Sequence, residues 1–278
     1  CSFLECLKWF QHGSQSFFTL MTTLAFYKLK EGQSHLARRI FNESADSGNL
    51  CWSFETVVQK VIDRHGSVEV VTDKGAWKAT KVVCTLPTNV ANKVQFEPAI
   101  SPLRKAAFEE GHVNFGHKHH EIAKPEFRSM TFNGYDAHNP MPLEAGFGDQ
   151  ILKKNGNAVV VTFGAANKGE EQAAARQPEQ IKKWIGRLHP ALEEKYVGSL
   201  WMPWSTDPFA MGTWCMYAPN YYTKYFKELQ KPHGNVHFAS ADWADGWKSF
   251  IDGAIEQGTK SAYKITQEWR KRPQAARL

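Results

Sequence analysis

Residues 235–258, NVHFASADWADGWKSFIDGAIEQG, limit the fold of this chain more than any other stretch. A β-branched and aromatic run at 236–238 ends at Ser240, Ala241 and Asp242, and apolar or small residues then recur at Phe250, Ile251, Ala254, Ile255, Gly258 and Ala262. The first pattern is that of a buried strand closing in a small polar turn; the second predicts an amphipathic helix from about Trp247. Gly253, Ala254 and Gly258 carry almost no side chain, so a flat or bulky group could lie close against this helix. Its first N–H groups have no intrahelical acceptor and favour an electron-rich oxygen. The same letters also fit a plain strand, turn and core helix packed on a sheet.

Elsewhere the hydrophobic period changes along the chain. The first forty residues read as helical, and residues 31–50 continue with Leu36, Ile40 and Phe41 at helical spacing until Gly48 supplies a stop. From 54 to 87 the short runs VVQKVID, VEVVTD and WKATKVVCTL, separated by RHGS and KGA, predict a strand meander. VVCTLP is apolar on both sides and reads as a buried strand ending at a turn, and NAVVVTFGA reads as another. PEQIKKWIGRLHPAL predicts an amphipathic helix with Ile181, Trp184, Ile185 and Leu188 on one side. Helices and strands mix without a strict βαβ rhythm or an internal repeat, so the fold class is α/β (mixed α+β).

At 278 residues the chain holds one large domain or two small ones. Its formal charge of +6 is scattered among acids with no run of one sign, which argues against a nucleic-acid partner. The most apolar stretch, 17–29, is too short for the roughly 20 apolar residues that span a bilayer and reads as core. Cys1, Cys6, Cys51, Cys84 and Cys215 form no C-x-x-C pair, the usage of reduced thiols inside a cell rather than of a disulfide framework. The N-terminus lacks the basic, apolar and small-residue succession of a signal peptide. Ala276-Arg277-Leu278 is a small-basic-leucine tripeptide of the type read by the peroxisomal import receptor.

In family order along the chain, YKLKEGQSHLARRIFNES, KVVCTLPTNVANKVQFEPAIS, DPFAMGTWCMYAPN and the opening stretch resemble segments of the flavin-dependent monoamine oxidases. Among these the chain is most similar to the fungal, peroxisomal branch that holds FAD without a covalent bond. The resemblance runs from about residue 17 to the end, with one departure. Such proteins begin with G-x-G-x-x-G after the first strand and an acid about twenty positions on, and this chain has no counterpart. The resemblance therefore implies an incomplete FAD-dependent amine oxidase fold. It assigns 1–50 and 91–205 to the substrate domain, and 51–90 and 206–278 to the FAD-binding domain, the last ending in the peroxisomal tail.

Residue by residue, the resemblance places Thr213 where animal relatives carry the cysteine bonded to flavin, which implies non-covalent FAD; Cys215 lies two positions away and reads as a buried thiol. Trp214 and Phe250 match the two aromatics of the family's cage, whose ring quadrupoles also attract an amine. Lys118 matches the lysine bound through a water to the flavin N5. Trp204 matches a tryptophan near the flavin ring, and Val57 a position whose backbone contacts adenine. Ala241, Asp242, Ser249 and Ile251 match the motif whose main-chain N–H groups touch the ribityl, pyrophosphate and pyrimidine atoms. Asp242 is an acid near phosphates, to be relieved by a ribityl hydroxyl or a water, or else a helix N-cap. His117, His119, His120 and Glu121 invite a zinc reading, but strand alternation sends His117 and His119 to one face and His120 to the other, and no metal is assigned.

The function implied is oxidative deamination of a primary amine to imine and aldehyde, with O2 reduced to hydrogen peroxide, in the peroxisome. Two rivals stand beside it: a catalytically dead remnant serving as a binding module, and a flavin-free binder of small aromatic amines. A remnant would expose a sheet face and call for a homo-oligomer or an N-terminal partner segment.

Overall fold

The structure, a computed structural model, describes residues 1–25, 27–64, 66–133, 145–164 and 178–271. Its contacts separate two units, Cys1–Glu110 with Met216–Leu278, and Gly111–Cys215. The tripeptide at 276–278 and the Leu188 side chain lie outside the described residues.

The first unit opens with helices α1 (Phe3–His12), α2 (Phe17–Ala25) and α3 (Gln33–Asp46), as the periodicity predicts. Ser2 caps α1 by accepting the Leu4 N–H, and Gly48, at φ +72°, follows the end of α3. The meander forms as β1 (Val58–Asp63), β2 (Val68–Thr72) and β3 (Gly75–Ala79), antiparallel, with β5 (Gln95–Glu97) added parallel to β1. A separate parallel pair joins β4 (Val82–Cys84) to β11 (Val236–Phe238). Helices α4 (Thr88–Ala91) and α5 (Pro102–Glu110) follow, then a π-helical turn at Tyr222–Phe226 running into α8 (Lys227–Leu229), and last α9 (Ile251–Lys271). Phe108, Leu229, Val236, Phe238 and Trp243 are buried, and the Arg104 guanidinium lies 4.2 Å above Phe238 while donating to the carbonyls of Glu228 and Lys231.

Helix α3 buries no residue. Three expectations for this unit are corrected. Stretch 17–29 is not core: among its described residues only Leu20 is buried, packed where Gly13 has no Cβ to meet it, while Phe18 is 77% exposed. Strand β4 is half-exposed, with Val83 at 43%, because β11 is its only partner among the described residues. The last helix starts at Ile251, not Trp247, because turns occupy the preceding N–H groups. Lys248 donates to Gly246, Ser249 at φ +70° donates to Ala241, and Phe250 donates to Trp247. Its apolar stripe faces outward, with Ile255 at 49%, and its buried side is Gly253, Gln257 and Ser261. Gly253 dictates this orientation, since a Cβ there would lie 2.3 Å from the Trp247 carbonyl oxygen.

The second unit is an antiparallel sheet in the order β10-β6-β9-β8-β7, from β6 (His117–Ala123), β7 (Thr131–Asn133), β8 (Ala145–Ile151), β9 (Ala158–Gly164) and β10 (Tyr196–Trp201). Strand β9 is buried almost throughout, as its apolar run predicts. Helix α6 (Pro178–Leu188) lays Ile181 and Ile185 on Ala123, Ala158 and Val160, and α7 (Pro190–Glu194) adds Leu192. That helix therefore covers the sheet face to which Glu121 and His119 also point, leaving Lys118 on the other.

Candidate active site

In the second unit, Lys118, Phe163 and Trp214 lie together. The Lys118 Nζ is 5.3 Å from the Phe163 ring centre, and the edge of Phe163 meets Trp214 at 6.5 Å and 78°. Lys118 thus makes a cation–π contact with Phe163, and the neighbouring indole of Trp214 is an aromatic surface of the kind that attracts an amine cation. Trp214 is held from its backbone: the Asn114 Nδ2 donates to its carbonyl at 2.8 Å, and the Asn114 carbonyl accepts from the Thr213 N–H at 3.2 Å. The Asn114 Oδ1 accepts from the Gly116 N–H at 3.0 Å, an Asx turn that leads into the strand of Lys118. Thr213 has its hydroxyl 3.4 Å from the same Asn114 carbonyl, and the Cys215 thiol is buried. Trp204 is half-exposed, and its carbonyl accepts from Gly212.

In the first unit, Phe250 sits between two indoles, 5.5 Å from Trp9 and 5.4 Å from Trp247 in an edge-on contact. Helix α1 braces this loop along one face: His12 Nε2 lies 2.9 Å from the Gly246 carbonyl and its ring stacks on Trp247 at 4.3 Å. Glu5 forms a buried pair with Lys248 at 2.8 Å. Ala241 begins a short 3-10 turn, and Ser240, not Asp242, is its cap, accepting the Asp242 N–H. The Asp242 carboxylate is withdrawn onto Thr88, accepting its N–H and its hydroxyl, each at 2.8 Å. The relief expected from a ribityl hydroxyl or a water is thus supplied by Thr88. Val57 has both backbone groups engaged by Asp73, its N–H on Oδ1 at 2.8 Å and its carbonyl accepting the Asp73 N–H, so its N–H is not open to adenine.

On the opposite face of the second sheet a buried polar cluster surrounds Glu121. Thr162 donates to its Oε1 at 3.2 Å, and the His119 Nδ1 lies 3.7 Å away, with the His119 ring stacked on Trp201. Burial raises the Glu121 carboxyl to about 7, against the hydrogen bond from Thr162 that favours its charged form. Burial, aided by His117 and His120, lowers His119 to about 3, and burial next to Glu121 lifts Tyr196 to about 12. His117 and His119 share this face and His120 does not.

Flavin suits the residues present. Helix α9 offers a first turn of N–H groups without intrahelical acceptors, with Ile251 exposed at that end. Of the acids around this end, Asp242 is held by Thr88 away from any incoming oxygen and Asp245 is paired with Lys260, while Asp252 lies in the first turn of α9 itself. Sequence reasoning missed Asn114, for which the letters VNFG at a strand start carried the signal. It noted His119 and Glu121 only as metal-ligand types; that they form a buried acid–imidazole pair comes from burial, which the letters do not carry.

The sequence profile of the flavin-containing amine oxidoreductases matches residues 1–266. Pseudooxynicotine dehydrogenase of a Pseudomonas species is 30% identical over 265 residues, 95% of this chain and 51% of that protein. Flavin-containing amine oxidase B of Bos taurus is 23% identical over 214 residues, 71% of this chain and 39% of that one. Putrescine oxidase, solved with putrescine bound, superposes at a TM-score of 0.69 with 19% identity, over 85% of this chain and 53% of that chain, a likeness of fold. The chain spans about half the length of the curated relatives it matches. With a match from its first residue almost to its last, the chain belongs to the flavin-containing amine oxidoreductase family.

Proposed function

We propose that this chain carries the amine-facing portion of a flavin monoamine oxidase of the fungal, peroxisomal type, acting on primary amines. The observation that carries the reading is the grouping of Lys118, Phe163 and Trp214 on one sheet face. Bound FAD would supply the two-electron acceptor. The carbon next to the amine loses a hydride equivalent and the nitrogen a proton; water hydrolyses the imine to aldehyde and ammonia, and O2 leaves as hydrogen peroxide. In this reading Trp214 orients the amine, Lys118 holds a water by its ammonium and Trp204 contributes ring surface, while Phe250 is the first unit's match to the second aromatic of the family's cage. Of the main-chain N–H groups expected to meet the cofactor, those of Ala241 and Ile251 serve in this reading, since the Asp242 N–H donates to Ser240 and the Ser249 N–H to the Ala241 carbonyl, and Val57 is limited to its side chain. Thr213 in place of a cysteine, with the Cys215 thiol buried, supports non-covalent FAD. Ala276-Arg277-Leu278 supports delivery by the peroxisomal import receptor. The assignment of 1–50 and 91–205 to substrate binding and of 51–90 and 206–278 to FAD binding belongs to the same reading.

A second reading, a binding module without turnover, is favoured by the apolar exposure of α2. Purification separates the two. A yellow protein whose flavin bands leave with acid precipitation, and which makes peroxide from primary amines, supports the first. Colourless protein that stays inactive with FAD, even when supplied with the part of the relatives it does not span, supports the second.

A further inference from the structure

We propose that Asn114 is a positioning residue of the amine site, locking Trp214 and the strand of Lys118 into one frame; this rests on the reading of those two residues given above. Asn114 uses every polar group it has in this role. Its Nδ2 donates to the Trp214 carbonyl at 2.8 Å, its Oδ1 accepts from the Gly116 N–H at 3.0 Å, and its carbonyl accepts from the Thr213 N–H at 3.2 Å. Its own N–H donates to the His112 Nδ1 at 3.3 Å. Gly116 stands two residues before Lys118, so one side chain spans the two segments that carry the cation and the indole. An amide is the side chain that fits, because one end must donate to a carbonyl while the other accepts from an N–H.

Gly116 reports on the same frame from beneath. A Cβ there would lie 3.0 Å from the Asn114 Oδ1, 3.2 Å from the Gly164 carbonyl oxygen and 3.5 Å from the Trp214 Cη2. The Gly164 oxygen belongs to the paired strand β9 and cannot move aside without breaking the ladder. Added volume at Gly116 is therefore passed to Asn114 and the Trp214 ring.

The test uses the full chain with 5-fluorotryptophan, in which the Trp214 fluorine signal is assigned by its loss in Trp214→Phe. Asn114→Asp keeps the acceptor for Gly116 but turns an oxygen toward the Trp214 carbonyl; Asn114→Ala removes both bonds. We expect both variants, and Gly116→Ala, to shift or broaden the Trp214 signal and to speed amide exchange at Thr213, while the other tryptophan signals hold and the protein stays folded. A Trp214 signal and Thr213 exchange unchanged in Asn114→Asp and Asn114→Ala overturn the proposal. So does an equal shift of all tryptophan signals, which would mark general loosening. Where FAD-loaded protein turns over an amine, Asn114→Asp lowers kcat by on the order of tenfold to a hundredfold with a smaller change in KM. A loss confined to the amount of active protein, with kcat per bound flavin intact, counts against the role. If wild-type protein turns over no amine even with FAD and the part of the relatives it does not span, the reading of the site fails, and the fluorine and exchange results still decide whether Asn114 holds Trp214.

Discussion

The Asp242 carboxylate and Thr88 are joined by two hydrogen bonds, from the backbone N–H and the side-chain hydroxyl of Thr88, both at 2.8 Å and both buried. The bonds tie the turn after β11 to the start of α4, across 154 positions of sequence. Asp242→Ala leaves two donors in a dry site, and each unsatisfied buried group costs about 1–3 kcal/mol. Urea unfolding should show a loss of roughly 2–5 kcal/mol for Asp242→Ala and less for Thr88→Val, with coupling in the double variant. A loss within about 0.5 kcal/mol, the range of ordinary surface changes, would contradict this link.

The buried pair of Lys248 and Glu5 makes an asymmetric prediction. Lys248→Met leaves the Glu5 carboxylate buried without its cation, a change that costs about 3–5 kcal/mol. Glu5→Gln added to it removes the stranded charge yet keeps an acceptor for the Tyr217 N–H, which lies 3.0 Å from the Glu5 Oε1. The double variant should therefore recover most of the stability in chemical denaturation. Failure to recover would mean that the ammonium over the Tyr217 ring, at 4.5 Å, matters more than the pair.

Stability of the second unit should depend on pH through two groups with opposed slopes. Glu121 is raised from an ordinary 4.5 to about 7, so its contribution is whole below about 4.5 and falls as pH rises through 7. His119 is lowered from 6.5 to about 3, so its contribution is whole above 6.5 and falls as pH drops toward 3. Between about 4.5 and 6.5 unfolding hands the proton of the carboxyl to the histidine, and the two slopes cancel. Glu121→Gln removes one slope, and its unfolding free energy should then rise with pH across that window while the wild type stays nearly level. Parallel profiles would rule the pair out.

Two glycines of α9 should respond in opposite directions to alanine. A Cβ at Gly253 meets backbone at 2.3 Å, so Gly253→Ala should destabilise by about 1–3 kcal/mol, the usual penalty for overpacking. At Gly258 nothing lies within 4 Å, and alanine should add roughly 0.8–1 kcal/mol of helix preference. Thermal midpoints of the two variants, moving down and up respectively, check both.

Local order was well encoded in the letters. The three opening helices, the meander, β9, and α6 with Ile181 and Ile185 inward all follow from period and turn residues. What failed was burial and aim. Period marks the apolar stripe of α9 but not which side meets a neighbour, and Gly253, read as room for a ligand, is room for the Trp247 carbonyl. Helix onset was misjudged because Ser249 adopts a left-handed backbone that no propensity foretells. At the site, residue types were legible through family likeness, whereas the partner of Asp242 sits 154 residues away and only folding brings it near.

The division of the chain into Cys1–Glu110 with Met216–Leu278, and an uninterrupted Gly111–Cys215, bears on the order of synthesis. The five strands of the middle segment are complete once residue 201 has emerged from the ribosome. Strand β4 waits for β11, and Glu5 waits for Lys248, 243 positions later by number, so the first unit closes only after residue 248 has emerged. Until then its early helices travel as an unfinished surface, and chaperone demand should be greatest before that point.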